Sequence, residues 1–409
     1  MSEETPNRSP SDPAKSGEPT PPYIGGQAVL EGVMMRSPTS FAVVVRRRDR
    51  SLHVRERQMV DARTGAARLP LFRGVASLVE SLRLGSEALR FSAEQMERDI
   101  DAQEREEAAA KDAGKTKSVK AAKSAPTSTL MMMLQAIGYT LFLLTSADGD
   151  SNGAEVAHEE KKEKQSKGPM GLMLVLMVGF MIALPQAAAA GVNKLLKLNL
   201  EVQSPAFQAI TGAFKLTIVV GYLFVVRRVF PDIRRVFQYH GAEHKTITTY
   251  EAGEALTVAN ARAKTTLHPR CGTTFLVMVA LVSILVFTAV GGFLPKIETG
   301  KVWLDNVVFF LEKLPFLPVI AAVTFEIQRV FARYCTTGPM RVLLWPGFLC
   351  QKIPTIEPDD DQLEVALASL RVTLFREKGD EKGEGGEKAD VRYASFDSLM
   401  KSGRLRRAA

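Results

Sequence analysis

Apolar and polar positions fall in blocks along this chain, and the blocks predict its elements. Residues 170–184 carry no charge and run on through Pro185 into an alanine-rich stretch ending at 190. Similar runs cover residues 208–226 and 273–294. A fourth, 306–325, is interrupted by Glu312, Lys313, Pro315 and Pro318. About 20 apolar residues cross a bilayer, so these runs are expected to span one. A fifth, 130–145, is short enough either to span or to lie in the interface. Lys215, near the outer end of its run, is expected to snorkel toward the headgroups. Glu312 and Lys313 are expected to pair, or to flank a break at Pro315.

Other blocks have the period of soluble structure. Residues 41–45 and 52–60 flank a polar turn and predict a β-hairpin. The glycine-punctuated segment 25–36 lacks both a P-loop lysine and a G-x-G-x-x-G pattern. Its glycines are therefore expected to let strands turn or pack closely, with Glu31 and Arg36 open to a docking or site role. Residues 70–93 have helical spacing, with Leu71, Val75, Leu78, Val79, Leu82 and Leu89 on one side. That helix should lie on the membrane or pack on the hairpin. Pro231 opens a helix expected to reach about Gly253, and Thr257 can cap a short second one. Acidic residues 359–361 precede a helix over 362–370, where they suit the dipole.

The predicted fold is mainly α: a polytopic helical membrane protein of four to five apolar segments with a small cytoplasmic α+β cap. Residues 1–22 read as a disordered tail and 23–93 as the cytoplasmic α+β module. Residues 94–167 form a charged linker holding the short apolar segment 130–145. Membrane helices follow at 168–226, a cytoplasmic histidine-box loop at 227–272, and more membrane helices at 273–325. A cytoplasmic C-terminal segment, 326–377, and a disordered tail, 378–409, complete the chain.

Charge sets the orientation. The loop 227–272 carries eight Lys and Arg, while the loops expected on the opposite side carry two each: Lys194 and Lys197, then Lys296 and Lys301. The positive-inside rule places the histidine loop and the C-terminus in the cytoplasm, and the basic N-terminal module favours the same side. This predicts a multi-pass membrane protein with both the histidine loop and the C-terminus on the inner side. No cleavable signal peptide is read in the polar first 22 residues. The net charge of +8 is modest for 409 residues. It fits contact with anionic lipid better than nucleic-acid binding, for which no motif is present. The bilayer is the expected partner. Protein partners are unspecified, and a homo-oligomer stays open. Three cysteines suggest no disulfide framework.

The candidate chemistry is concentrated. Three of the five histidines are His240, His244 and His268. His240, Glu243 and His244 form an H-x-x-E-H pattern. On a helix it brings two imidazoles to one face as metal ligands, beside a carboxylate able to act as general base. A polar helix face is the alternative. His268 and Cys271, in H-x-x-C spacing, could add ligands and close a site, which is usual for a structural metal. Cys271 could instead act as a thiol at a helix N-terminus, with Arg270, Gly272 and Thr273 holding an anion. It could also be a small packed residue. Glu251, on the histidine face, and Glu326, at the end of the last span, are candidate carboxylate ligands.

Residues 25–38, 71–74, 239–245, 268–273 and 357–366 together resemble the YqhQ-like family of bacterial membrane proteins. The resemblance covers most of residues 23–370. That family is a domain of unknown function described as metal-dependent enzymes. The resemblance implies an integral membrane protein with a metal-associated cytoplasmic face, and it supplies no substrate. In one departure, the chain lacks the family's basic residue beside Glu357, so no ion pair is expected within that run. The leading functional expectation is a membrane-embedded metal-dependent hydrolase. It would carry a divalent, zinc-type metal and act at the cytoplasmic face on a lipid-borne or peptide substrate. The alternatives are a non-enzymatic scaffold or assembly factor with a structural His/Cys site, and an anionic-lipid or phosphate-binding module.

Overall fold

The computed structural model describes residues 22–59, 69, 72–112, 183–290, 293–295, 300–336, 338–377, 389–402 and 405. The apolar run 130–145 and nearly all of 170–184 lie outside the described residues. So do residues 1–21 and 113–182, which hold most of the predicted N-terminal tail and linker.

The hairpin expectation is met and extended. Strands β1 (Gly25–Val29), β2 (Gly32–Arg36), β3 (Ser40–Arg46) and β4 (Leu52–Gln58) form an antiparallel meander. Val29 pairs with Gly32 across the β1–β2 turn, where Glu31 takes a left-handed φ of 50°. A fifth strand, β5 (Ala389–Tyr393), pairs with β4, and helix α11 (Phe396–Met400) follows it. Part of the predicted disordered tail 378–409 is therefore ordered. Val391 lies opposite Val54, and Asp390 accepts from Arg55.

Both sheet faces are covered, as the alternation along the strands requires. Val29, Met34, Phe41, Val43 and Val45 meet Leu84, Ala88 and Phe91 of α1 (Phe72–Asp112). This helix runs through residues 94–112, which the sequence reading had placed in the linker. Its buried face is Leu84, Ala88 and Phe91, whereas Leu82 and Leu89 are only half-buried. Arg36 draws the helix round by reaching Ser81 and Glu80. On the other sheet face, Val33, Met35, Ala42 and Val44 share a core with Leu363, Ala366, Leu367 and Leu370 of α10 (Asp360–Glu377). Asp359 Oδ1 accepts from the Gln362 N–H and caps that helix. The central helix, α4 (Pro231–Glu251), packs on α10 and β1.

The remaining helices are α2 (Leu184–Leu195), α3 (Pro205–Val229), α5 (Val258–Arg262), α6 (Gly272–Val290), α7 (Val302–Lys313), α8 (Phe316–Tyr334) and α9 (Trp345–Gln351). Among the described residues α3 and α6 are long and apolar enough to cross a membrane, with mean hydropathies of 2.0 and 2.5. The end of α7 and all of α8 pass the same test together, but they bend by 47° where Pro315 interrupts them. That makes two such segments, or three, fewer than the four to five expected. Gly212 lets α3 and α6 approach: a Cβ there would stand 2.1 Å from the Ile284 side chain.

The layering makes a stability prediction. Leu367 is fully buried between sheet and helices. Leu367→Ala should destabilise the cap by about 2–5 kcal/mol, read as a lowered urea midpoint of the detergent-solubilised protein. Exposed Val342→Ala should stay within about 0.5 kcal/mol. Equal midpoints for the two variants would contradict the placement of α10 in the core.

Candidate metal centre

Pro231 starts α4 directly after α3, so the helix enters the cap from the end of an apolar segment. Between Tyr239 and Thr249 almost every residue is buried, polar ones included. His240 and His244, one turn apart, are each 1% exposed, and their rings meet edge-on with centroids 4.5 Å apart. Cys271, also 1% exposed, immediately precedes α6. Its Sγ lies 3.4 Å from His240 Nε2. One donor atom each from His240, His244 and Cys271 falls within 4.8 Å of the others, the spacing a shared cation needs.

The backbone fixes how the rings present themselves. His240 Nδ1 meets the Pro354 carbonyl oxygen at 3.0 Å, and His244 Nδ1 meets that of Thr266 at 2.5 Å. A carbonyl only accepts, so each Nδ1 carries the proton and each Nε2 offers a lone pair. His244 Nε2 is buried without a hydrogen-bond partner among the described residues. A buried nitrogen in that state costs free energy unless something coordinates it. Burial, with His268 adding a smaller repulsion, pushes His240 down to about 4. Burial and the neighbouring histidines hold His244 well below its ordinary value. Both imidazoles are therefore neutral near pH 7, the form that binds metals.

Distant segments hold this geometry. The Ile356 N–H donates to the Phe237 carbonyl, laying the strap 352–358 along α4. Gly241 permits the contact: a Cβ there would stand 2.1 Å from the Ile356 oxygen. Lys245 closes the strap by pairing with Glu357 at 2.5 Å, so Glu357 finds its basic partner on another element. The loop before α6 is held by two amides that the sequence reading missed. Gln351 Nε2 donates to the His268 carbonyl, while its Oε1 accepts from the His268 N–H. Gln328 Nε2 donates to the Cys271 carbonyl at 3.2 Å. Gln328 sits in an apolar helix with its side chain buried. A lone amide in such a helix was the available signal.

The other predicted residues fall elsewhere. His268 is next to the centre, its ring 5.6 Å from that of His244, but its Nε2 faces Glu251 at 3.2 Å. Glu251 also pairs with Arg270, and it lies outside the converging donors. Glu326 is engaged by Arg73 of α1, which displaces it from the ligand role expected of it. The anion cradle of Arg270, Gly272 and Thr273 is filled from within. Arg270 is held by Glu251 and lies over the Tyr23 ring at 4.5 Å, and the Thr273 N–H points at Cys271 Sγ. Gly272 is simply the first residue of α6. Glu243 is buried on the β1 side of α4, so close that a Cβ on Gly26 would lie 2.7 Å from its Oε1. It is not among the converging donors.

A model of the family described as "Protein of unknown function (DUF1385)" matches residues 69–375. "Uncharacterized protein YqhQ" of Bacillus subtilis (strain 168) is 28% identical over 363 residues, covering 87% of this chain and 93% of that protein. No solved structure matches.

Two predictions follow from the geometry. Gly241→Ala should push the strap off α4, misalign His240 and weaken metal binding by about 10–100-fold, as measured by competition with a chromogenic chelator. Unchanged affinity would show that the strap does not orient the ring. Acid should also destabilise the metal-free protein. The unfolded imidazoles protonate near 6.5, but His240 resists protonation down to about 4. Stability present at pH 7 should therefore be lost as pH falls through this window, by on the order of 1 kcal/mol per unit per imidazole. Denaturant midpoints at pH 7 and pH 5 test this, and equal midpoints would contradict the neutral buried rings.

From its match over residues 69–375, the chain belongs to the DUF1385 family.

Proposed function

We propose that this chain is a multi-pass protein of a bacterial cytoplasmic membrane whose cytoplasmic cap holds a zinc-type metal for hydrolysis. The observation that carries the reading is the convergence of His240, His244 and Cys271 in one buried site. Mixed imidazole and thiolate donors suit zinc, and the unsatisfied His244 Nε2 fits such a group. With three protein donors, a bound zinc-type ion would keep room for a further ligand, as catalytic sites do and closed structural sites do not. The two long apolar helices and the basic loop between them support a membrane location with the cap on the cytoplasmic side.

Bound there, the cation would supply Lewis acidity toward a carbonyl or phosphoryl oxygen. His240 and His244 would hold the ion as neutral rings, and Cys271 would hold it as a thiolate, its proton passing to solvent. Glu243 lies on the turn between the histidines with its carboxylate packed against Gly26; to take a proton from the attacking water it would have to turn that carboxylate toward the centre. The cap joins α3 without a linker, so a lipid-borne or peptide substrate at the inner leaflet would reach it most directly.

A structural metal site in a scaffold is the second reading. It is favoured by the 1% exposure of all three donors and by the nearness of His268, which could close the fourth position.

Metal content of the purified full chain decides first. Wild type should hold about one ion per chain, and His240→Ala and Cys271→Ser should lose it. Metal-free wild type would remove both readings. Cobalt(II) in the site then reports the open position: a visible spectrum that shifts with azide supports hydrolysis, and an inert one supports the scaffold. Glu243→Gln should keep the metal and abolish turnover on an ester and phosphodiester panel. A variant that keeps both, or loses both, would remove Glu243 as the base.

A further inference from the structure

A second polar feature lies among the apolar helices. A small cavity is lined by residues of α2, α3, α6, α7 and α8. Its polar lining includes Lys215, Lys313, Gln208 and Ser283. Ser283 is twelve residues beyond Cys271, about 18 Å further along the helix axis. The cavity is therefore separate from the metal centre.

Its charge is unbalanced. Lys313 is 7% exposed, donates to Gln208 Oε1 at 2.8 Å, and lies over the rings of Phe309 and Phe287 at 4.4 and 5.1 Å. Of the two expectations for Glu312 and Lys313, the break at Pro315 is the one seen; Lys313 pairs with no carboxylate among the described residues. Lys215, expected to snorkel, lines the same cavity and likewise has no carboxylate partner among the described residues. The neighbouring hydroxyls do not supply donors: Thr211 and Ser283 donate to carbonyls of their own helices. The Gln208 amide donates to Val202. Gln186 also lines the cavity, and the two lysine amines are its basic groups. Two basic groups share this poorly solvated space, and no carboxylate among the described residues accompanies them.

We propose that the cavity binds a phosphate-type oxyanion seated between Lys215 and Lys313. Ala280, Ile284, Phe287, Leu314 and Leu317 add apolar lining, which an acyl chain could follow if the anion is a phospholipid headgroup. A lipid headgroup and a free phosphate share this chemistry, and the test separates them.

The full chain, stripped of lipid in neutral detergent, is melted with short-chain phosphatidylglycerol, with diacylglycerol of the same tails, or with inorganic phosphate. Phosphatidylglycerol should raise the melting temperature of wild type while diacylglycerol does not. A rise with inorganic phosphate as well would identify a free anion as sufficient. Lys215→Gln and Lys313→Gln should each weaken the apparent affinity on the order of thirtyfold, and Lys301→Gln should leave it unchanged. Lys313→Arg, which keeps the charge, should retain the shift and show that the helices still pack. The proposal is overturned if neither phosphatidylglycerol nor phosphate shifts wild type, or if both Gln variants respond as wild type does.

Discussion

Two backbone carbonyls, those of Pro354 and Thr266, determine what the buried histidines can do. Each takes the Nδ1 proton of one imidazole, so each ring turns its Nε2 lone pair inward. Without those acceptors a buried imidazole could rotate or change tautomer, and the donors would not converge. With them, one nitrogen of each ring is satisfied and the other stands ready beside a thiol. The arrangement is costly when nothing is bound, because His244 Nε2 has no partner among the described residues. It is favourable once a cation takes the lone pairs. A cation bound there would link its own affinity to the stability of the fold.

The carbonyls are in place because separate parts of the chain press on one helix. The strap 352–358 lies against Gly241, where only a missing side chain allows the approach. The loop 266–271 is held by Gln351 and Gln328 from two further helices. The sheet presents Gly26 to Glu243 on another side of α4. Helix α10 covers the sheet and closes the core behind it. The five-stranded sheet therefore packs on the helix that carries the two histidines.

Much of this was legible in the sequence, and the physics explains which parts. The hairpin 41–60 and the helix from Pro231 follow from local period and turn chemistry, so they appeared where expected. His240, His244 and Cys271 were legible because metal donors are chemically distinctive and two of them share a helical face. The choice among further ligands was not legible. Glu326 looked available until Arg73, 253 positions away in sequence, was found beside it. Glu251 was already committed to His268 and Arg270. Strand β5 was hidden because the segment before it is rich in Gly, Glu and Lys, and the strand pairs only with distant β4. Counting apolar runs gave more spans than the described helices show, because Pro315 bends the last one and two runs lie outside the described residues.

The most direct measurement is metal-edge X-ray absorption on the purified, detergent-solubilised chain. The account predicts a mixed coordination shell, with one sulfur at about 2.3 Å and two imidazole nitrogens at about 2.0 Å, in which the sulfur contribution vanishes in Cys271→Ser. A shell of oxygens alone, or a sulfur signal that survives that substitution, would contradict it.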